Sequence, residues 1–241
     1  MAGQVRSRER VAEHGEVFTG EREVNAMLDL VRQETERIES RFLEPACGNG
    51  NFLAEVLRRK LCVVRSRYGR SLPEYERYAF VATASLYGID ILADNAAECR
   101  ERLYRLVEAD YQAVRRKCAE AGPTPGFLEA VRFLLARNIL CGNALSLKAV
   151  DADGKDTAEP IIFSEWSLVG ERVKRRDFRL DEMLDGSSSP QLSLWGASGT
   201  PTSEWELDEE TGAMIPKPIR EFPLTSIYEV GDARVAGDEA R

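Results

Sequence analysis

The sequence has little histidine, no long apolar run and no excess of positive charge. A single histidine among 241 residues, with five cysteines scattered without metal-ligand spacing, predicts no metal site. No stretch approaches a membrane span, and the first residues lack the apolar core of a signal peptide, so we expect a cytoplasmic protein with no membrane partner. A net charge of -8 excludes coating of nucleic acid by charge alone, although Lys174, Arg175 and Arg176 could form a local basic face.

A glycine-containing stretch at 42–53 is the most informative part of the chain. It predicts a buried strand, a tight turn with Gly48 and Gly50, and a helix start, because apolar residues then recur at helical spacing. Leu53 occupies the place of the third glycine of a dinucleotide loop, and no Lys-Ser/Thr pair follows as a phosphate loop requires. The alternative is a glycine-rich turn that holds no ligand.

The segment Glu44-Pro45-Ala46-Cys47-Gly48-Asn49-Gly50 resembles the first motif of S-adenosylmethionine-dependent methyltransferases, in the form found in adenine-specific DNA methyltransferases of restriction–modification systems. In that family a short Phe-Thr segment upstream, here Phe18-Thr19, lies over the methionine end of the cofactor. Thr19 could instead cap the helix that follows. The scattered cysteines, Cys47 included, are expected to be dispensable for the chemistry.

Two later segments extend the resemblance. Asp90 ends a second predicted strand, where an acid can accept both hydroxyls of a ribose; its alternative role is a strand-end cap. Asn143 stands where the family usually has an aspartate that contacts the adenine amino group, and its side-chain oxygen can still accept that bond. The resemblance therefore assigns binding of S-adenosyl-L-methionine to Phe18, Thr19, Glu44, Pro45, Ala46, Gly48, Gly50, Asp90, Asn143 and Ala144.

The catalytic tetrapeptide of the family, Asn/Asp-Pro-Pro-Tyr, is absent from this sequence. The nearest candidate is the predicted fourth strand 161–166, where Glu165 could accept from an amine and Trp166 could stack on a flipped base. The alternative is packing, with the apolar residues and Trp166 in the core and Glu165 at the surface. Arginines and aromatics at 62–80 could likewise hold nucleic acid, or form an ordinary connecting segment.

The expected fold is α/β with a Rossmann-like, mostly parallel class I methyltransferase sheet. Four credible strands against the seven of a complete sheet predict an incomplete or truncated one, whose open edge would favour a partner subunit or a homo-oligomer. The predicted organisation is a flexible lead-in at 1–14, a Rossmann-like cofactor-binding domain at 15–184, and a Gly/Ser/Pro-rich loop, hairpin and tail at 185–241.

By this resemblance the chain is expected to act in adenine methylation of DNA, with DNA as its partner, in a restriction–modification or phage-defence setting. Two alternatives remain open. One is a non-catalytic or split subunit that binds S-adenosylmethionine and is completed by a partner chain. The other is a methyltransferase for RNA, protein or a small molecule.

Overall fold

A computed structural model describes residues 7, 10, 18–118, 124–184, 205–207 and 214–232, with backbone alone for 205–207 and 214–216. Its helices are α1 (Glu21–Leu30), α2 (Arg32–Thr35), α3 (Asn51–Tyr68), α4 (Leu72–Ala84), α5 (Ala93–Lys117), α6 (Phe127–Asn138) and α7 (Leu180–Leu184). Its strands are β1 (Phe42–Glu44), β2 (Leu86–Asp90), β3 (Ile139–Asn143), β4 (Lys148–Val150), β5 (Asp156–Pro160), β6 (Ile162–Val169), β7 (Arg172–Arg179), β8 (Trp205–Leu207), β9 (Met214–Pro216), β10 (Arg220–Glu221) and β11 (Thr225–Ser226).

The first sheet has five strands in the order β1-β2-β3-β4-β5. The first three strands run parallel, with Glu44 opposite Gly88 and Asp90 opposite Cys141. The last two pairings are antiparallel, so the sheet is mixed rather than mostly parallel as expected. The α/β class is confirmed. Because β1, β2 and β3 are parallel, the residues that end them meet at one edge of the sheet, which we call the carboxyl edge.

Helices α3, α5 and α6 pack against the parallel strands. The apolar residues that recur along α3 are fully or almost fully buried, namely Leu53, Val56, Leu57, Leu61 and Val64. Helix and sheet approach closely at Gly88, where a Cβ atom would lie 3.0 Å from Leu53 and 3.1 Å from Ile139. The aromatic segment at 62–80 is largely helical. Tyr75 and Phe80 are buried, while Tyr68 and Tyr78 stack with ring centroids 3.7 Å apart. These contacts favour the connecting segment over the nucleic-acid alternative.

Lys60 is a buried cation on the inner side of α3. Its side chain is 0% exposed and its Nζ donates to the carbonyl oxygens of Ile38 and Ser40 and to Ser85 Oγ. These bonds tie α3 to the turn before β1 and to the residue before β2. Burial lowers the pKa of Lys60 to about 7, although the charges of Glu39 and Glu34 oppose the shift.

The predicted fourth strand lies in a second sheet rather than beside β1–β3. Strand β6 pairs antiparallel with β7, and β7 also pairs with β10 and β11. Arg175 on β7 bonds Ser164 and Asp177 and lies over the ring of Phe222, 4.0 Å from its centroid. Burial lowers the pKa of the Arg175 guanidinium, and Asp177 opposes that effect. The hairpin is therefore held by internal ion pairs as well as apolar contacts.

The segment at 217–232 ties this second sheet to the helices. Tyr228 donates its hydroxyl to Glu76 on α4 at 2.7 Å, and Ile227 and Val230 are buried. Gly126, before α6, has φ +89°, and a Cβ there would lie 2.3 Å from the carbonyl oxygen of Tyr228. Only glycine fits this contact between two distant parts of the chain.

Several predictions fall outside the described residues: most of the lead-in at 1–14, the Gly/Ser/Pro-rich loop at 185–204 and the end of the tail at 233–241. Strands β8 and β9 pair antiparallel, as the hairpin prediction requires. Within the described ranges, none of the helices is both long and apolar enough to cross a membrane.

Candidate functional site

The glycine loop leaves β1 at Glu44 and enters α3 at Asn51. Gly48 and Gly50 have φ of +52° and +84°, the left-handed region that favours glycine. The Gly50 amide donates to the Cys47 carbonyl, and the Cys47 amide donates to the Ile89 carbonyl, both at 2.8 Å. The loop is thus a tight turn fixed to the neighbouring strand β2.

Close contacts within the chain explain both glycines. A Cβ atom on Gly48 would lie 3.1 Å from the ring of Phe18, so Phe18 covers this residue. A Cβ atom on Gly50 would lie 2.7 Å from Cys99 Sγ. The hydrogen bond with Cys99, followed by burial, raises the pKa of the Cys47 thiol, which makes it a packing group and a poor nucleophile. The glycines alone therefore do not require a ligand.

Asp90 links the end of β2 to the glycine loop. Its Oδ2 accepts from the Gly48 amide at 2.8 Å, and its Oδ1 accepts from the Leu92 amide at 2.9 Å and from Asn95 Nδ2 at 3.2 Å. The residue is 8% exposed. The bond from the Leu92 amide is the one expected if Asp90 caps the end of the strand, so that alternative role is observed in part. The bond to Gly48 goes further, because it joins the acid of β2 directly to the predicted cofactor loop.

Glu44, Pro45 and Ala46 form the outer side of the same loop. Pro45 and Ala46 are exposed, while Glu44 is partly buried. Burial raises the pKa of Glu44, and a bond from the Ala46 amide at 3.3 Å opposes that shift. The two exposed residues have backbone atoms that a ligand could contact, and the Glu44 side chain bonds the turn through the Ala46 amide.

Thr19 reaches the loop through its backbone. Its carbonyl oxygen accepts from Asn51 Nδ2 at 3.0 Å. The N-cap of α1 is Gly20, without a side-chain cap, so the capping role considered for Thr19 is not observed. Phe18 and Thr19 also line a groove of about 1270 Å³ between residues 18–24, α3 and α5. Both arginines and glutamates line it, so the groove favours neither an anionic nor a cationic ligand.

Asn143 and Ala144 lie at the end of β3, at the carboxyl edge. Asn143 Oδ1 accepts from the amides of Leu145 at 3.0 Å and Ser146 at 3.4 Å, and its Nδ2 donates to Asp156 at 2.9 Å. The amide oxygen assigned to adenine thus already holds the turn. That turn leaves the Leu145 side chain 97% exposed.

Glu165 and Trp166 do not reach this edge. Glu165 is 6% exposed and accepts from Arg41 at 2.6 Å and from Arg176 at 3.1 Å. Trp166 is buried, donates to Asn138 at 3.4 Å and packs edge-on against Phe80. These contacts favour the packing alternative, with the difference that Glu165 lies inside the fold rather than at its surface.

The basic run at 174–176 is neutralised by neighbouring acids. Lys174 pairs with Glu221 at 3.2 Å, Arg175 with Asp177 at 3.0 Å and Arg176 with Glu165 at 3.1 Å. It is therefore not a solvated basic face. Among the described residues, no three His, Cys, Asp or Glu side chains cluster in a way that could hold a metal ion.

Sequence reasoning missed Asn95 and Arg41. Asn95 lies five residues after Asp90, in the first turn of α5, where its side chain meets the acid. An amide in the first turn of the helix that follows a strand-end acid could have indicated this contact. Arg41 precedes β1, and nothing in the local pattern connects it with Glu165 124 positions later.

Comparisons with known proteins give no relative for this chain. Neither a scan of protein-family models nor searches of curated proteins and of solved structures found a match.

Proposed function

We propose that this chain binds S-adenosylmethionine at the carboxyl edge of β1–β3 and serves in adenine methylation of DNA. The observation that carries the proposal is the 2.8 Å bond from the Gly48 amide to the Asp90 carboxylate. It brings together the two motifs that the resemblance assigns to the cofactor. The contact of Phe18 with Gly48 brings a third such motif, the Phe-Thr segment, to the same loop.

The residues at this edge fit the chemical groups of the cofactor. Asp90 Oδ2 accepts one hydrogen bond from the described part of the chain and keeps a lone pair for a ribose hydroxyl. Pro45 and Ala46 expose backbone to the ligand. Because Asn143 is engaged with its own turn, its role here is to hold Ala144 and Leu145 in place as an apolar surface for the adenine ring.

Bound S-adenosylmethionine would supply an activated methyl group for direct displacement by an amine. The chain's contribution is then to bind and orient, since a displacement of this kind needs no covalent nucleophile on the protein. The buried Cys47 agrees with that expectation, because its raised pKa keeps it protonated.

The surroundings of the residues predicted to bind the methyl-accepting base favour a second candidate function. On this candidate the chain is a subunit completed by a partner chain. Within the described residues, Glu165 is held by two arginines and Trp166 is enclosed, so neither is available to an incoming base. In the described sheets β1 is an end strand, paired with β2 alone, and a strand from a partner could pair there. On this candidate the chain binds the cofactor and the partner supplies the amine-binding group.

Calorimetric titration of S-adenosylmethionine into the purified chain tests the cofactor site. We expect binding by the wild type and a loss of about ten-fold or more in Asp90→Asn, as for one charged hydrogen bond removed. Asp151→Asn is the matched control, because Asp151 also accepts two backbone amides, in the exposed turn between β4 and β5. Absence of wild-type binding would refute the proposal.

Mass spectrometry of genomic DNA from a heterologous host, which lacks the partner chain, with and without the gene separates the two candidates. N6-methyladenine that depends on this gene alone supports the enzyme. Cofactor binding without any DNA methylation is the result expected of the partner-dependent subunit.

A further inference from the structure

Asn95 is a buried amide at the start of α5 that helix formation does not explain. It is 1% exposed, and an amide in that position must have hydrogen-bond partners because burial without them is costly. The N-cap of α5 is Leu92, and no side-chain capping bond is present. The polar atoms of the Asn95 side chain therefore serve something other than the helix terminus.

The two ends of the Asn95 side chain contact opposite charges. Its Nδ2 donates to Asp90 Oδ1 at 3.2 Å, and its Oδ1 accepts from Arg10 Nη2 at 3.3 Å. Arg10 also pairs with Asp94 at 2.6 Å. Asn95 thus lies between the guanidinium of Arg10 and the carboxylate of Asp90, with its donor end fixed towards the acid.

The hydrogen bonds divide the two oxygens of Asp90 unequally. Oδ1 accepts from both Leu92 and Asn95, whereas Oδ2 accepts from the Gly48 amide within the described part of the chain. A carboxylate oxygen has two lone pairs, so Oδ1 is saturated by the protein and Oδ2 keeps one open position. Two donors hold Oδ1, and the one supplied by a side chain is Asn95.

We propose that Asn95 is the positioning residue of Asp90, which saturates Oδ1 and leaves Oδ2 as the oxygen that accepts a ribose hydroxyl. The inference rests on the proposed cofactor site and deepens it. Arg10 holds the amide in the orientation that donates to Asp90. Asn95 itself does not touch the ligand, so its effect on binding passes entirely through Asp90 and the ribose.

Two ligands separate this role from a general structural one. S-adenosylhomocysteine and its 2′,3′-dideoxy analogue are titrated into wild type and Asn95→Asp, a substitution that keeps the shape but replaces the donor with an acceptor. At pH 8 we expect Asn95→Asp to weaken S-adenosylhomocysteine by about ten-fold or more, and the dideoxy analogue by less than about two-fold. An equal loss for both ligands would overturn the proposal.

A pH series gives an independent readout. Two adjacent carboxyl groups share a proton more readily as the pH falls, and the new carboxyl group of the Asn95→Asp variant, once protonated, can again donate to Asp90. Binding of S-adenosylhomocysteine to Asn95→Asp should therefore recover towards the wild-type value between pH 8 and pH 6. The same change at Asn25, which bonds Glu21 and Arg59 instead, should bring neither loss nor recovery. A flat profile in Asn95→Asp counts against the proposal.

Arg10→Ala is the second variant, since Arg10 is partly exposed and its removal spares the buried position. We expect it to weaken S-adenosylhomocysteine by about two- to five-fold and to leave the dideoxy analogue unchanged. Wild-type protein that binds neither ligand refutes the cofactor site itself. Wild-type binding with no ligand-dependent loss in either variant refutes only the role of Asn95.

Discussion

Replacing Gly50 by alanine tests how tightly the glycine loop is packed. Gly50 has φ +84°, and the added Cβ would lie 2.7 Å from Cys99 Sγ and 3.3 Å from Cys99 Cα. The neighbour below 3.0 Å is a short, fully buried side chain, so the contact cannot be relieved by a small rotation at the surface. We expect Gly50→Ala to combine backbone strain with overpacking.

Gly154 is a matched control for the part of the cost that comes from backbone strain. It has φ +74° in the turn between β4 and β5, and a Cβ there would meet nothing within 4 Å. The left-handed conformation costs an alanine about 1–2 kcal/mol at either position. Overpacking adds about 1–3 kcal/mol at Gly50 alone. The expected losses of unfolding free energy are about 1–2 kcal/mol for Gly154→Ala and about 2–5 kcal/mol for Gly50→Ala.

Urea unfolding followed by circular dichroism measures both losses. In a Cys99→Ala background the sulfur is gone, so the additional cost of Gly50→Ala over Gly154→Ala should fall. If Gly50→Ala were no more destabilising than Gly154→Ala, the loop would not pack against Cys99 as described. If the additional cost persisted unchanged without the sulfur, the contact with Cys99 Sγ would not be its origin.

Three further predictions concern buried charges, and urea unfolding measures each. The pKa of Lys60 is about 7 in the folded chain and 10.5 ordinarily, so between these pH values the unfolded state binds more protons than the folded state. The free energy of unfolding of wild type relative to Lys60→Met should therefore rise by up to about 1.4 kcal/mol per pH unit above pH 7. Parallel dependences of unfolding free energy on pH in the two proteins would contradict this. Arg176→Met should cost about 3 kcal/mol because it removes one partner of buried Glu165, whereas Lys174→Met, at a more exposed pair, should cost less than about 1 kcal/mol. Tyr228→Phe should cost about 1.5–3 kcal/mol because it removes the hydrogen bond to buried Glu76, and an unchanged midpoint would show that this bond contributes nothing.

Local sequence patterns predicted the elements around the glycine loop because each carries its own signal, although β1, expected to be buried, leaves Leu43 43% exposed. The glycine turn, the apolar spacing of α3 and the acid that ends β2 are all visible within a few residues. The resemblance predicted that Phe18 lies over the methionine end of the cofactor, which stays a prediction; the structure places its ring against Gly48 in the glycine loop. Asn143 was a different case, since its residue type allowed a ligand contact but its oxygen holds the following turn.

The second sheet could not be predicted because buried charged residues in it are paired with residues of opposite charge on a neighbouring strand, and those partners are not adjacent in the sequence. The sequence Arg172-Val-Lys-Arg-Arg-Asp-Phe-Arg179 has the pattern of a solvated basic run. Pairing of β6 with β7 sets Glu165 opposite Arg176 and Ser164 opposite Asp177, which makes burial of these groups possible. Arg41 completes the arrangement from outside the hairpin. Such partners depend on register and tertiary contact, which hydropathy does not encode.

The bond between Tyr228 and Glu76 sets an order for synthesis as well as a contact in the finished fold. The two residues are 152 positions apart. At 5–20 residues per second, a ribosome needs about 8–30 s to add the tyrosine after the glutamate. During that interval Glu76 has no Tyr228 to bond, and β7, once made, lacks β10 and β11 until residues 220–226 follow. A nascent chain of this protein therefore carries its parallel strands and glycine loop well before the last segment can close over α4 and α6, and until then its second sheet consists of the β6–β7 hairpin alone.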